Sequence, residues 1–171
     1  KIMNKTPVEN LGTITGIGES RRVELVRLYP FAIEKVWQAI TDPELVAQWF
    51  ADFTIDPIEG GRIELNFGKV LVTGSIKTMM PPYVFSYTWE QDGETTSIVQ
   101  FDLMRMSENE THLTIIQTGL DAEIAPDVGL GWHSMMDRLA VSMHTEKFEP
   151  QDKNQWKPLH EAYKELDQAN N

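Results

Sequence analysis

Two rows of large side chains could form the walls of a binding cavity. The first row alternates with smaller residues, so one face of a β-strand would carry Tyr83, Phe85, Tyr87 and Trp89. The second row has the spacing of one helix face and comprises Trp132, Met135, Met136, Leu139 and Met143. Aromatic walls with adaptable methionines suit an apolar guest molecule. The same residues could fill an ordinary core, and the pattern leaves both interpretations open.

Polar side chains at predicted inward positions could orient such a guest. The groups able to donate a hydrogen bond there are the Gln117 amide, the Tyr87 hydroxyl and the indole N–H of Trp132. Each could instead be satisfied by the backbone or by buried water. Arg27 could bind a carboxylate or phenolate in the cavity. A surface ion pair with an acid such as Glu24 or Glu64 is the more common role for an arginine on a first strand.

The sequence offers no recognisable metal site. It contains no cysteine, which removes thiolate ligands and thiol nucleophiles. Its four histidines lack the HxH or HExxH spacing that zinc sites use. His133 lies off the inward stripe of its predicted helix, so we expect it to be exposed. The sequence therefore predicts no metal and no cofactor.

Catalysis is the weaker hypothesis for the same positions. There is no serine nucleophile elbow and no phosphate-binding glycine loop. Asp42 and Glu44 are better explained by helix capping than by acid–base chemistry. A general acid or base would have to come from Gln117, Tyr87, Glu64 or Asp102. No catalytic residue is predicted.

The composition excludes several classes of partner. Fifteen Lys and Arg against 26 Asp and Glu give a net charge of −11. No basic stripe is present, which argues against nucleic-acid binding and against docking on an anionic membrane. No apolar run approaches the length of a membrane span. The first twenty residues lack the pattern of a secretory signal, so we expect a cytoplasmic protein.

The elements that must position these residues follow from periodicity and breaks. Residues 22–29 predict a first strand, and residues 33–40 a short helix. Asp42-Pro43 begins a second short helix, because Asp can cap and Pro fits the first turn. Five strand-like runs follow Gly60-Gly61. Their short connections favour an antiparallel meander.

The ends of the chain are simpler. Residues 1–20 are expected to form an N-terminal arm or loop, and residues 21–145 the main domain. A long helix over about residues 126–144 is long enough to cross a whole sheet. Residues 146–171 form a C-terminal extension, with a polar linker at 151–154 and a short, mostly solvated helix at 158–169.

The order of motifs resembles a known family over roughly residues 22–140. The motifs are Arg27, Val36-Trp37, Thr41-Asp42-Pro43-Glu44, Trp49-Phe50, Gly60-Gly61, Gly74, Tyr87-Thr88-Trp89, Thr111-His112-Leu113-Thr114, Thr118-Gly119-Leu120 and Gly131-Trp132. As a set they resemble the bacterial homologues of the activator of heat-shock chaperone ATPase, within the START-like (SRPBCC) ligand-binding superfamily. The chain departs from that pattern at Phe31-Ala32, where an Ala-Pro pair is usual, and at Gln117, where many members have histidine.

The resemblance implies an α+β helix-grip fold. In that fold a seven-stranded antiparallel sheet wraps around a long C-terminal helix, and two short helices follow the first strand. It also implies a hydrophobic pocket for lipid-, polyketide- or flavonoid-like molecules, and it carries no shared catalytic set. We expect the ligand to contact Trp37, Trp49, Phe50, Phe67, Phe85, Tyr87, Trp89, Phe101, Gln117, Trp132, Met135, Met136 and Leu139.

Three functions remain as hypotheses from the sequence. The leading one is binding of a small hydrophobic or aromatic molecule in an internal cavity, as a carrier or sensor. The second is a stress-related interaction protein that acts on a heat-shock ATPase chaperone. The third, less favoured, is an enzyme of the aromatase/cyclase type. Trp49, Phe50 and Met79 are candidates for the mouth of the cavity, because loops and short helices commonly gate such pockets.

Overall fold

One antiparallel sheet dominates the computed structural model, which describes residues 10–144 and 156–168. Its strands are β1 (Thr13–Ile17), β2 (Ser20–Tyr29), β3 (Asp52–Ile55), β4 (Arg62–Asn66), β5 (Leu71–Met80), β6 (Val84–Gln91), β7 (Glu94–Ser107) and β8 (Glu110–Asp121). Their spatial order is β1-β2-β8-β7-β6-β5-β4-β3. The helices are α1 (Ile33–Thr41), α2 (Pro43–Val46), α3 (Ala125–Met143) and α4 (Trp156–Gln168).

Alternating burial sets the two faces of the sheet. In β2, Val23, Leu25 and Tyr29 are buried, whereas Val26 and Leu28 between them are exposed. This period of two places the apolar set of each strand on the face that α3 covers. The Tyr29 hydroxyl, for example, donates to the backbone carbonyl of Met136 in α3 at 2.9 Å. The predicted α+β class, with a large sheet packed on a long C-terminal helix, is confirmed.

The described residues contain eight strands, so the expected count of seven was wrong. Residues 13–17, which the sequence placed in an N-terminal arm, form β1 and pair with β2 in the register Thr13↔Glu24. This run lacks apolar alternation but brings two backbones close together. A Cβ at Gly16 would lie 2.0 Å from the carbonyl oxygen of Ser20. β3 has only four residues, too few for a periodic signal to be read.

Both short helices begin where the sequence predicted, α1 at Ile33 and α2 at Pro43. The carboxylate of Asp42 accepts from the backbone N–H of Glu44 at 3.0 Å, and Pro43 occupies the first turn. Trp49 follows α2, and its indole N–H donates to the carbonyl of Ala39 in α1 at 2.8 Å. This bond holds the chain after α2 against α1, and so fixes the position of the next residue, Phe50.

α4 docks on the rest of the protein through Tyr163, which is fully buried. The Tyr163 hydroxyl accepts from the backbone N–H of Gly12 at 3.1 Å and lies 2.9 Å from Nδ1 of His133. His133 is therefore buried, and the expectation that it is exposed was wrong. The sequence could not show this, because α4 supplies the cover from more than twenty residues away. Ala169, the linker at 151–154 and the first nine residues of the predicted arm lie outside the described residues.

Arg27 also points inward, contrary to the expected surface ion pair. Its side chain is buried, and Nη1 donates to the carbonyls of Asn10 and Val26 at 2.8 and 2.9 Å. Glu24 pairs instead with Arg22 on the outer face. Burial, and secondly the charge of Arg27, lower the pKa of His133 from 6.5 to about 4. His133 is therefore neutral in the folded protein at neutral pH.

The neutral state of His133 predicts a loss of stability in mild acid. Between pH 6.5 and 4 the unfolded chain binds a proton at this residue that the folded chain does not. The contribution of neutral His133 to the free energy of unfolding is complete above pH 6.5. It falls as the pH drops towards 4, by at most about 3 kcal/mol. Urea denaturation at pH 7 and pH 5 should therefore show a smaller decrease for His133→Phe than for the wild type. His112→Phe, which replaces an imidazole on the outer face of the sheet, is the control. An unchanged decrease in His133→Phe would contradict the assignment.

Candidate functional site

A pocket of about 340 Å³ lies between the N-terminal half of α3 and the adjacent ends of strands β5 to β8. It is lined by Phe50, Phe67, Val70, Val72, Trp89, Gln91, Thr96, Ser97, Gln117, Leu120, Ile124, Val128, Gly131, Trp132 and Met135. Its volume falls within the range of small-molecule sites. Val70 and Ile124 are each 43% exposed, so the pocket opens to solvent between the β4–β5 connection and the start of α3.

Phe50 organises the aromatic wall. Its ring centroid lies 5.1 Å from that of Trp132, 5.3 Å from Phe67 and 6.4 Å from Trp89. Trp49 stacks against Phe50 at 4.9 Å, nearly parallel. The stacked Trp49 is itself held by the hydrogen bond to Ala39, so the wall is positioned by α1 and α2 together. Such offset and edge contacts fix ring orientation as well as bury area.

A chain of hydrogen bonds crosses the deep end of the pocket. The indole N–H of Trp132 donates to the Gln117 side chain at 2.7 Å, and the Gln117 amide donates to Ser97 Oγ at 2.7 Å. All three residues are buried. Because an indole nitrogen can only donate, the carbonyl end of the amide must face Trp132. This leaves the NH₂ end facing Ser97 and fixes the direction of the whole chain.

A second tryptophan is capped in the same way near the mouth. The indole N–H of Trp89 donates to Oε1 of Gln91 at 3.0 Å, and both side chains are half-buried. Neither indole N–H of the pocket is therefore free for a ligand. The candidate donor named from the sequence, the Trp132 indole, is already committed to Gln117.

The pocket carries no charge. None of its lining side chains is acidic or basic, although the whole chain has a net charge of −11. Tyr87 lies outside the lining, and burial raises its pKa well above the usual value of 10. It therefore stays a neutral phenol at physiological pH and lacks the reactivity of a general base. Within the described ranges, no three His, Cys, Asp or Glu side chains come together as a metal site.

The structure divides the residues proposed from the sequence into two groups. Those on the pocket wall are Phe50, Phe67, Trp89, Gln117, Trp132 and Met135. Those in the packed interior are Trp37, Trp49, Phe85, Tyr87, Phe101, Met136 and Leu139. Between Phe85, Tyr87 and Phe101 and the short helices only about 10 Å³ is empty, about the limit for one water. The two rows are thus divided: Trp89, Trp132 and Met135 line the pocket, whereas Phe85, Tyr87, Met136 and Leu139 pack in the interior.

Other wall residues carried little signal in the sequence. Ser97, Thr96 and Gln91 are polar residues near a hairpin turn, where such residues are ordinary. Tyr83, placed by alternation in the aromatic row, precedes β6 and is exposed. Met79, a candidate for the mouth, packs against the core instead. Gly131 was noted as a motif residue, and its lack of a side chain turns out to leave open space on the pocket wall.

Sequence comparison identifies one matching family. The model of the family described as activator of Hsp90 ATPase homolog 1-like protein matches residues 30–144. That segment runs from the turn before α1 to the end of α3. No protein of curated function matches the chain significantly. No helix in residues 10–144 or 156–168 is both long and apolar enough to cross a membrane.

Comparison with solved structures identifies similar folds. CalU16 from Micromonospora echinospora is 25% identical with a TM-score of 0.77, over 94% of this chain and 98% of that one. DynU16, a protein in the dynemicin biosynthetic locus, is 25% identical with a TM-score of 0.67, over 72% of this chain and 47% of that one. PFC0360w, an HSP90 activator from Plasmodium falciparum, is 18% identical with a TM-score of 0.63, over 72% and 95%. These similarities support the helix-grip assignment.

The hydrogen-bond chain predicts unequal costs for two similar substitutions. Gln117→Leu leaves the buried indole of Trp132 without an acceptor, which should lower the free energy of unfolding by about 1–3 kcal/mol. Gln91→Leu removes the same bond from half-exposed Trp89, where water can replace the amide, and should cost less than about 1 kcal/mol. Urea denaturation of both variants and the wild type measures the difference. Equal costs would mean that Gln117 does not hold the deep end of the pocket.

Proposed function

The chain belongs to the activator of Hsp90 ATPase homolog 1-like family, and we propose that its pocket binds a small hydrophobic or aromatic molecule, as a carrier or sensor. The observation that carries this proposal is the open space of about 340 Å³ bounded by aromatic and aliphatic side chains. Apolar surface left unfilled in an otherwise packed interior is unfavourable unless a guest covers it.

The shape of the wall supports an aromatic guest. Phe50, Phe67 and Trp89 lie within 6.4 Å of one another, centroid to centroid, on one side of the pocket. Met135 on α3 adds a side chain that adapts its conformation to the guest. A flat ring system could stack on the aromatic side while its edge remains in apolar surroundings.

Filling the pocket from within is the sharpest test of this function. Gly131 is on the wall, and a Cβ built there meets nothing within 4 Å. Gly131→Leu should therefore occupy the pocket while leaving the fold intact, and leucine favours a helix over glycine by roughly 0.8 kcal/mol. We expect this variant to bind the neutral fluorescent probe N-phenyl-1-naphthylamine at least about tenfold more weakly than the wild type, with an equal or higher melting temperature.

The matched control is Gly131→Ala, which adds one methyl group and should retain most of the binding. Fluorescence titration and thermal unfolding of the three proteins measure both effects. If the probe binds Gly131→Leu as tightly as the wild type, the pocket is not the binding site. If the wild type binds neither this probe nor a panel of lipids and polycyclic molecules, the proposed function fails.

A second function, action on a heat-shock ATPase, is favoured by one feature of the outer sheet face. Val26, Leu28 and Met104 are 41%, 55% and 56% exposed. They are close together, because His112 of β8 pairs with Leu28 on one side and with Met104 on the other. Exposed apolar patches commonly mark protein contacts, and the family is named for chaperone ATPase activation.

An ATPase assay with the Hsp90 of the source organism separates the two functions. If the outer face acts, the wild type changes the ATPase rate, and the triple variant Val26→Thr, Leu28→Thr, Met104→Gln loses most of that effect. Gly131→Leu, with its pocket filled and its outer face intact, is the control and should retain the effect. No change in rate on addition of the wild type would remove this function.

A further inference from the structure

We propose that the pocket selects a neutral, planar ligand that bears a hydrogen-bond acceptor such as a ketone carbonyl, and that Ser97 Oγ–H is the group that binds this acceptor. The inference rests on the proposed function and specifies its ligand class. It follows from the directions of the hydrogen bonds on the pocket wall and from the absence of charge there.

The donor comes from the end of the hydrogen-bond chain. Trp132 donates to Gln117, and Gln117 donates to Ser97 Oγ. A serine hydroxyl that accepts one hydrogen bond still has its own proton to donate. Among the described residues no acceptor for that proton is found, although Ser97 is only 4% exposed. A buried donor without an acceptor is unfavourable. The Ser97 hydroxyl is therefore a hydrogen-bond donor on an otherwise apolar wall that a ligand acceptor would satisfy.

Neighbouring polar groups do not provide an equivalent donor. The hydroxyl of Thr96 donates to the backbone carbonyl of Trp89 at 3.1 Å. The indole N–H groups of Trp89 and Trp132 are both bound to glutamine side chains. Gln91 sits at the half-exposed mouth, where water can satisfy it. Among the described residues, the Ser97 hydroxyl is thus the buried donor on the pocket wall whose proton has no acceptor within the protein.

The missing charge excludes one class of acceptor. A carboxylate buried against Ser97 would have no basic side chain on the pocket wall to pair with, and burial of an unpaired charge is strongly unfavourable. Arg27 is buried on β2 and does not line the pocket. A ketone, quinone or similar neutral carbonyl meets the Ser97 donor without this penalty.

Three tricyclic probes of similar size test the selection. Fluorene has no acceptor, 9-fluorenone has one carbonyl, and fluorene-9-carboxylate has a charge. Quenching of the protein's tryptophan fluorescence, to which the pocket residues Trp89 and Trp132 contribute, gives each affinity. We expect 9-fluorenone to bind the wild type about fivefold more tightly than fluorene. The carboxylate should bind at least about tenfold more weakly than fluorene.

Ser97→Ala should remove the preference for 9-fluorenone over fluorene. Because this preference is a ratio of two affinities measured in one variant, a change at the Gln117 amide that affects both probes alike cancels from it. Thr96→Ala is the matched control, because its hydroxyl is already committed to Trp89, and it should keep the preference. The infrared carbonyl stretch of bound 9-fluorenone gives a second measurement. It should lie at lower wavenumber in the wild type and Thr96→Ala than in Ser97→Ala, since only a hydrogen-bonded carbonyl is shifted down.

The outcomes separate this inference from the proposed function. If fluorene and 9-fluorenone bind the wild type equally, or Ser97→Ala keeps the preference and the shifted stretch, the Ser97 donor is overturned while the pocket stands. If the carboxylate binds as tightly as 9-fluorenone, the neutral ligand class is overturned. If none of the three probes quenches the tryptophans, the hydrophobic pocket and this inference both fail.

Discussion

The buried indole of Trp132 imposes the constraint on which this interior depends. An indole N–H inside an apolar core must find an acceptor, and Gln117 on β8 provides it at 2.7 Å. The amide then needs a partner for its other end, and Ser97 on β7 provides it. One donor on α3 thereby sets the spacing between the long helix and strands β7 and β8 at the deep end of the pocket.

Packing divides α3 into two parts with different roles. Met136 and Leu139 lie in the filled core, and Tyr29 bonds the carbonyl of Met136. Trp132 and Met135 face the open space. Met136 and Leu139 therefore anchor the helix in the core, whereas the face that carries Trp132 and Met135 borders open space. A protein that must stay folded when its ligand is absent needs such a separation, because an empty pocket contributes few contacts of its own.

The sequence predicted the main helices and strands of this fold better than it predicted which residues are buried by parts of the chain remote in sequence. Capping by Asp42, the alternation in β6 to β8 and the stripe on α3 are local patterns, and local patterns can be read from one chain. The burial of Arg27 and His133 is not local. It depends on α4 and on Asn10, which are remote in sequence. Strands β1 and β3 were missed for a related reason, since short edge strands owe their pairing to a neighbour rather than to their own periodicity.

The same distinction explains why family membership does not define the ligand. Phe50, Trp89 and Trp132 belong to the shared motifs and build the aromatic frame of the pocket. Ser97, which supplies the free donor, and the exposed rim residues Val70 and Ile124 fall outside those motifs. Replacing Ser97 would leave the buried Gln117 amide without its acceptor, whereas the exposed rim residues Val70 and Ile124 can change at less cost to the core. Under the proposed function, the chemistry of the guest depends on residues outside the shared motifs, and it has to be established from the pocket of each protein separately.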